Sequence, residues 1–273
     1  MIHRTPTESE AGAMSTKMDE DDWAHTVAVF RACLPRRGRK AEDDRCFLEA
    51  LHFFTVENVR WRALPERFGP WNSVWKRFDR LSKAGVLRGL LRHARINEFY
   101  GASHSDVRLD HRARSCVGGR SKRGQEEQAL GRSRGGFTTK IHAKSDASGD
   151  IIAFDLTGGE AFDGRHFETL LDIGPDIQPR AVICDKGYAS KANRDAARAR
   201  GIAPVIPHKA NEKNKPAFFA RTLYKARARI EQGVGRLKRF KRVALRCEKT
   251  ARNFRSIVSF AAGLCLIKFV HTA

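Results

Sequence analysis

A chain of 273 residues, 41% of them hydrophobic, can bury one substantial core and a smaller appended one, which excludes disorder throughout. Its 52 Lys and Arg against 31 Asp and Glu leave a formal charge of +21, so a polyanionic partner is expected. Nucleic acid comes first, with a ribosomal role, a membrane surface or an unspecialised basic surface as alternatives. The most apolar run, residues 257–270, is shorter than the roughly 18 residues of a bilayer span and contains Lys268, and the start carries no secretory apolar region; a cytoplasmic protein is expected.

The first twenty residues are polar, with Met14 and Met18 as later start candidates, and read as a disordered lead (1–20). Residues 21–94 read as helical: Trp23, Val27, Val29 and Phe30 begin one apolar face and residues 46–54 another, with the basic turn Pro35-Arg-Arg-Gly-Arg-Lys40 between them. After the Pro/Gly-punctuated turn Leu64-Pro-Glu-Arg-Phe-Gly-Pro-Trp71, Asn72 or Ser73 can cap a helix carrying Val74, Trp75, Phe78, Leu81 and Leu87. This small all-α domain suits DNA contact or a structural cap. Residues 95–134, rich in Gly, Ser, Arg and Lys, read in part as a linker.

From Gly135 the period changes. Residues 137–143 alternate as a strand, 146–150 turn, and 151–157 return as a second strand, which makes a hairpin. A helix (165–171), a strand (181–185), a helix (191–200), a short strand (203–206) and a long basic helix (about 218–240) follow. Antiparallel strands followed by alternating helix and strand imply a mixed α/β sheet with flanking helices across 135–273. The apolar segment 251–270 is expected to be a helix packed on that sheet. Cys33, Cys46, Cys116, Cys184, Cys247 and Cys265 lie far apart with no Cys-x-x-Cys pair, so free thiols and no zinc are expected.

Asp185 ends the apolar run Ala181-Val-Ile-Cys, which puts its carboxylate at the carboxyl end of a buried strand, where α/β sheets favour ligand sites. Capping the turn into the helix at Ser190 would equally account for it. In the long helix Tyr224, Arg227, Glu231 and Lys238 recur at spacings of three, four and seven and fall in one stripe, so one face carries a carboxylate between basic groups. Spacing alone is also satisfied by a solvated, salt-bridged face.

Tyr224-x2-Arg227-x3-Glu231-x6-Lys238 resembles the Tyr-Arg-Glu-Lys signature of bacterial insertion-sequence DDE transposases of the IS-five group, in the IS-four-like superfamily. Trp61-Arg-Ala-Leu-Pro-Glu-Arg-Phe-Gly-Pro-Trp71 resembles the family's amino-terminal module, Ala129-Leu-Gly-Arg-Ser-Arg-Gly-Gly136 its block before the second strand, and Lys249-Thr-Ala-Arg-Asn-Phe254 its tail. The resemblance implies a ribonuclease-H-like catalytic domain, a DNA transposase acting on the element's terminal repeats and target duplex, and a homodimer in the strand-transfer complex. It further implies Mg²⁺, or Mn²⁺, held by Asp185 and Glu231, with Tyr224, Arg227 and Lys238 on the DNA. Phosphodiester attack builds charge on the incoming and leaving oxygens, which two divalent ions about 4 Å apart can stabilise, and such ions prefer hard carboxylate oxygens.

One segment departs from the family. The first acid should open a stretch similar to Asp-Ser-Thr-Ile-Val-Arg-Ala-His, but here stands Asp106-Val-Arg-Leu-Asp-His-Arg-Ala-Arg-Ser-Cys116, too charged for a central strand. Synonymous codons for Arg108 through Cys116 (CGA CTC GAC CAT CGT GCG CGC TCA TGC) encode that family stretch when read one base later. A gene shifted out of frame from about Arg108 to Gly124 is therefore expected, with the missing Asp under Arg108. Asp106 and Asp110 each lie two positions away and keep the strand face; Asp110 is the candidate third metal ligand, displaced by about 7 Å unless the strand slides by two residues. Two other classes follow: a catalytically inactive DNA-binding remnant, and a nuclease that hydrolyses without joining. Asp146 and Asp150 suit a turn, Asp155 and Asp163 lie near the sheet, with Asp163 as an acid that could support the site indirectly, and His142, His166 and His208 read as structural.

Overall fold

The computed structural model describes residues 16–36, 43–96, 106–116, 128–133, 136–174, 178–212, 215–216 and 218–272; of 95–96, 106–116 and 269–272 the backbone alone is described. Most of the expected disordered lead and of the basic turn 35–40 lies outside these residues. Helices α1 (Glu20–Cys33), α2 (Asp44–Glu57), α3 (Trp71–Lys83) and α4 (Val86–Ile96) come first. Strands β1 (Asp106–Cys116), β2 (Gly131–Ser133), β3 (Gly136–Ser145) and β4 (Ile151–Gly158) follow. Then come α5 (Phe167–Asp172), β5 (Ala181–Cys184), α6 (Lys191–Ala199), β6 (Ala203–Val205), α7 (Arg221–Lys225), α8 (Ala228–Lys238), α9 (Lys241–Ala244) and α10 (Ala251–Thr272). The chain forms two compact units: Met1–Ala94 with Arg236–Glu248 and Arg252–Ala273, and Arg95–Gly235 with Lys249–Ala251.

In the first unit, α1 opens on a capping box in which Asp19 accepts from the Asp22 N–H (2.8 Å) and Asp22 from the Asp19 N–H (3.1 Å). Asp43 caps α2 by accepting from the Cys46 N–H at 2.7 Å, and Asn58, at φ 57°, closes it in the left-handed region. The start of α3 differs from expectation: Pro70, not Asn72 or Ser73, is the cap, because its carbonyl already accepts from Ser73 (2.9 Å) and Val74 (3.3 Å). Phe30, Leu48, Leu51, Phe54, Phe78 and Leu87 are fully buried between the helices. Trp75, expected on the apolar face of α3, is 38% exposed instead; the buried stripe runs Val74, Phe78, Leu81. Buried Asp44 is held between Arg31 (2.8 Å) and Arg77. Burial alone would raise its pKa, but the two guanidinium groups keep it below the ordinary carboxylate value.

The expectation that 251–270 would pack on the sheet is corrected. Apart from Ala251, α10 belongs to the first unit, where Gly263 lies against Leu90 and Arg252 pairs with Asp79 at 2.9 Å. A helix apolar on most sides must be buried, and its sequence does not say against what. No described helix is long and apolar enough to cross a membrane. Cys33, Cys46, Cys184, Cys247 and Cys265 are free thiols, and Cys116 lies among the residues described by backbone alone.

The second unit is built on one mixed sheet. Its order is β2-β3-β1-β5-β6, with β4 also paired to β3; β3 runs antiparallel to β1, β2 and β4, whereas β1, β5 and β6 are mutually parallel neighbours. The expected hairpin is β3–β4, and its turn is organised by buried Asp146, whose Oδ1 accepts from the N–H groups of Ser148 (2.9 Å), Gly149 (2.9 Å) and Asp150 (3.0 Å). Strand β5 is buried on both faces, which explains its unbroken apolar run. Val182 and Cys184 join Phe167, Leu170, Tyr188 and Ala197 under α5 and α6, while Ala181 and Ile183 join Val205 under Phe219, Leu223 and Tyr224.

Residues 106–116, expected to be too charged for a central strand, form the central strand. β1 pairs with β3 from Arg108↔Ser145 to Cys116↔Thr138, with an irregularity between Asp110 and Ala113, and with β5 from Asp106↔Ala181 to Leu109↔Cys184. Desolvation of its charged side chains opposes that position. Main-chain groups of β3 and β5 also need partners, and β1 supplies them on both sides.

Candidate functional site

Asp185 follows the last residue of β5, at the carboxyl end of the strand, as its sequence position indicated. It also has the structural role weighed for it: its Oδ1 accepts from the Gly187 N–H at 2.8 Å and caps the single turn Lys186–Tyr188. The residue is half-buried, so it remains open to solvent on one side. The separate cap of α6 is Ser190, whose Oγ accepts from the Asn193 N–H at 3.1 Å.

The long helix expected over 218–240 is two helices, α7 and α8, with a turn at Ala226 and Arg227. Across the break the bonds shorten to three-residue spacing: Ala226 N–H to the Leu223 carbonyl (3.2 Å), Arg227 to Tyr224 (3.0 Å), Arg229 to Ala226 (3.1 Å) and Ile230 to Arg227 (3.2 Å). Each half is anchored separately. Leu223 and Tyr224 pack on the β5–β6 face, with Phe219 against Tyr224 at 5.4 Å between ring centres. Helix α8 is docked on the hairpin turn, where Arg229 Nη1 donates to the Ala147 carbonyl at 3.0 Å.

Two glycines allow that docking. A side chain on Gly149, whose φ is +92°, would run into the Arg229 carbonyl, and one on Gly233 would run into the Gly149 carbonyl oxygen. Sequence reading passed over both, although a glycine inside a helical pattern signals a packing reason. The consequence is positional: the turn at 146–150 fixes the helix that carries Glu231.

Tyr224, Arg227 and Glu231 come together across the break. Arg227 Nη1 pairs with Glu231 Oε1 at 3.0 Å, and the Arg227 guanidinium lies 6.0 Å from the centre of the Tyr224 ring. Burial raises the pKa of the Tyr224 hydroxyl; Arg227 acts to lower it, and Asp185 and Glu231 both raise it further. Both carboxylates therefore act electrostatically on one phenol. Lys238, the last residue of α8, is exposed and belongs to the other unit.

Asp110 is placed by its backbone. The parallel register ends at Leu109↔Cys184, so the next position on β1, Asp110, is the counterpart of Asp185. Two carboxylates of hard oxygen donors suit a divalent cation. Among the described residues no group of three His, Cys, Asp or Glu could hold a metal ion.

The other polar residues of the sheet have structural partners. Lys140 pairs with Asp163 at 3.0 Å, and Lys144 donates to the carbonyls of Leu171 (3.0 Å) and Ile173 (2.9 Å) at the end of α5. His142 is fully buried, stacks on His166 at 4.7 Å between ring centres and bonds Thr157 Oγ1 at 2.8 Å. Burial, reinforced by the positive neighbours His166 and Lys140 against Asp163 and Asp155, lowers its pKa to about 4.

Residues 110–266 match a family model described as "Transposase DDE domain", and residues 18–91 match one described as "Putative transposase of IS4/5 family". The chain is 33% identical over 138 residues to "Putative transposase for insertion sequence element IS402" of Burkholderia cepacia, covering 47% of this chain and 62% of that relative. It is 33% identical over 134 residues to "Putative transposase for insertion sequence element IS6501" of Brucella ovis, covering 48% of this chain and 100% of that relative. The chain thus spans less than two thirds of the first of these relatives. With the DDE match extending over more than half of its residues, the chain belongs to the transposase DDE domain family, as an IS4/IS5-type DDE transposase.

Proposed function

We propose that the chain is a DNA transposase that binds the terminal repeats of an insertion sequence, and cleaves and joins DNA strands by two-metal phosphodiester chemistry in a ribonuclease-H-like domain. The observation that carries the proposal is the placement of Asp185 at the end of β5, with Tyr224 packed on the β5–β6 face and Arg227, ion-paired with Glu231 of α8, beside the tyrosine ring. The register position of Asp110 beside Asp185 supports it. The mixed sheet, in which an antiparallel hairpin precedes parallel strands, supports the fold assignment.

In this reading Asp185, Glu231 and Asp110 hold divalent ions, Mg²⁺ or Mn²⁺. Such ions would supply positive charge at the attacking and leaving oxygens of the phosphodiester. Arg227 fixes the Glu231 carboxylate through their ion pair and, with Tyr224, offers donors to a phosphate of the attacked strand. Lys238 adds an exposed ammonium for the phosphate backbone, and the helical amino-terminal unit binds the duplex. The partner is double-stranded DNA in the cytoplasm, with a homodimer at strand transfer.

A second reading, a catalytically inactive DNA-binding remnant, is favoured by one observation: residues 106–116 depart from the family's first-acid stretch, and a set of synonymous codons exists for Arg108 through Cys116 that would encode that stretch over eight residues when read one base later. A strand-cleavage assay on the element ends with Mg²⁺ or Mn²⁺ separates the readings. Cleaved and joined products support the transposase. Binding without cleavage, unchanged by Asp185→Asn, supports the remnant, and hydrolysis of any duplex without joined products indicates a nuclease.

A further inference from the structure

Outside the acidic site, the first unit carries a cleft of about 380 Å³ lined by Arg60, Trp61, Arg62, Trp71, Asn72 and Trp75. We propose that this cleft takes one unpaired nucleobase of a DNA strand, stacked against the tryptophans, with its flanking phosphate beside the arginines. The proposal rests on the transposase reading and adds to it a binding mode that duplex contacts do not require.

The cleft is built rigidly. Trp61 forms its floor, stacked on Phe54 at 3.6 Å between ring centres with 25° between planes, and backed by Phe78 at 5.3 Å. The turn that carries it is closed by bonds from the Ala63 N–H to the Arg60 carbonyl (2.9 Å) and from the Leu64 N–H to the Trp61 carbonyl (3.1 Å). Trp71 and Trp75 are four residues apart on α3 and share a face, off the buried stripe of Val74, Phe78 and Leu81. Large aromatic side chains are normally well buried, yet these two are 36% and 38% exposed.

Charge and size choose the occupant. Among the described residues no acid lines the cleft and two arginines do; the Arg62 guanidinium lies 5.6 Å from the centre of the Trp71 ring. Aromatic rings interleaved with guanidinium groups stack on the faces of bases while the charge tracks phosphate. A paired base buries its faces in the helical stack, so only an unpaired one can present them. The volume lies at the low end of small-ligand pockets, roughly 300–1,000 Å³, which suits a single planar group better than a protein helix.

The test uses the full chain and fluorescence anisotropy with two labelled probes, a single-stranded oligothymidylate and a fully paired duplex of unrelated sequence. Trp71→Ala and Trp75→Ala are each expected to lower the ratio of single-strand to duplex affinity about tenfold, and Trp71→Phe to restore most of it. Arg62→Gln, which leaves the aromatic packing intact, is expected to lower the same ratio and guards against a folding defect in the alanine variants. A ratio unmoved by these substitutions, or Phe no better than Ala, overturns the proposal. So does a change of oligomeric state in Trp75→Ala without a change in ratio, which would mark the face as a contact between copies. A wild-type protein that binds neither probe overturns the transposase reading itself; one that binds duplex with an unmoved ratio overturns this cleft alone.

Discussion

Gly233→Ala should destabilise the protein, although glycine to alanine inside a helix ordinarily stabilises by about 1 kcal/mol. A Cβ at this position would stand 3.2 Å from the carbonyl carbon of Gly149 and 3.7 Å from Ile151 Cδ1. The Gly149 oxygen, on a C=O bond of about 1.2 Å, points at the same place. That oxygen falls more than about 1 Å inside the roughly 3.3 Å at which carbon and oxygen normally meet. Both sides of the clash are backbone, so α8 or the hairpin turn must move by that amount. Overpacking of this kind costs about 1–3 kcal/mol, and losing the Arg229 to Ala147 hydrogen bond adds about 1 kcal/mol. The sign of the substitution is therefore reversed. Because Glu231 rides on the same helix, a shift near 1 Å should lower strand cleavage by about a hundredfold. Gly235→Ala is the internal control: nothing lies within 4 Å of its Cβ position, so it should stabilise. The four tryptophans all lie in the amino-terminal unit, so the sheet unit is followed by hydrogen exchange of the β3–β4 amides during urea titration. Equal or greater protection in Gly233→Ala than in the wild type would refute the docking argument.

Further substitutions probe other parts of the structure. Asp44→Asn should destabilise the helical unit by about 3 kcal/mol, since Arg77 loses its buried partner. The Asp44 pKa is lowered in the fold, so its contribution is present above about pH 4 and lost as pH falls through the folded value. An acid titration by tryptophan fluorescence should lose that limb in the variant. His142 behaves as a buried neutral imidazole: its pKa falls from 6.5 to about 4, so the unfolded chain binds the proton first. The sheet unit should lose about 1.4 kcal/mol per pH unit between pH 6.5 and 4, and His142→Gln should flatten that slope in hydrogen exchange. Lys238→Ala should weaken duplex binding about equally for all sequences and reduce the salt slope by about 1, as read by anisotropy across a salt series.

The sheet was legible where local chemistry decides structure. Alternation over 137–143 and 151–157 around the turn at 146–150 gave the hairpin, and the apolar run ending at Asp185 gave the strand and the place of that residue at its carboxyl end. The break between Tyr224 and Glu231 was not legible, because Lys225, Ala226 and Arg227 are good helix formers. Separate anchoring of α7 on β5–β6 and of α8 on the hairpin turn overrides that propensity. The partner of α10 was likewise hidden, since an apolar helix announces burial and not its neighbour. Strand β1 shows the opposite limit: its side chains argued against a central position, and the unmet main-chain groups of β3 and β5 decided for it. Trp71 and Trp75 were readable as helical neighbours but not as exposed ones, because the stripe that faces the core is set by Val74 and Phe78.

Metal-dependent cleavage of a labelled duplex bearing the element ends tests the central claim most directly, with the wild type, Asp185→Asn and Glu231→Gln compared at matched DNA binding. The account predicts cleaved and joined strands from the wild type only when Mg²⁺ or Mn²⁺ is present, and loss of at least about a hundredfold in each variant with binding retained. Cleavage that survives either substitution, or a wild type that binds the ends without cutting them, would contradict it.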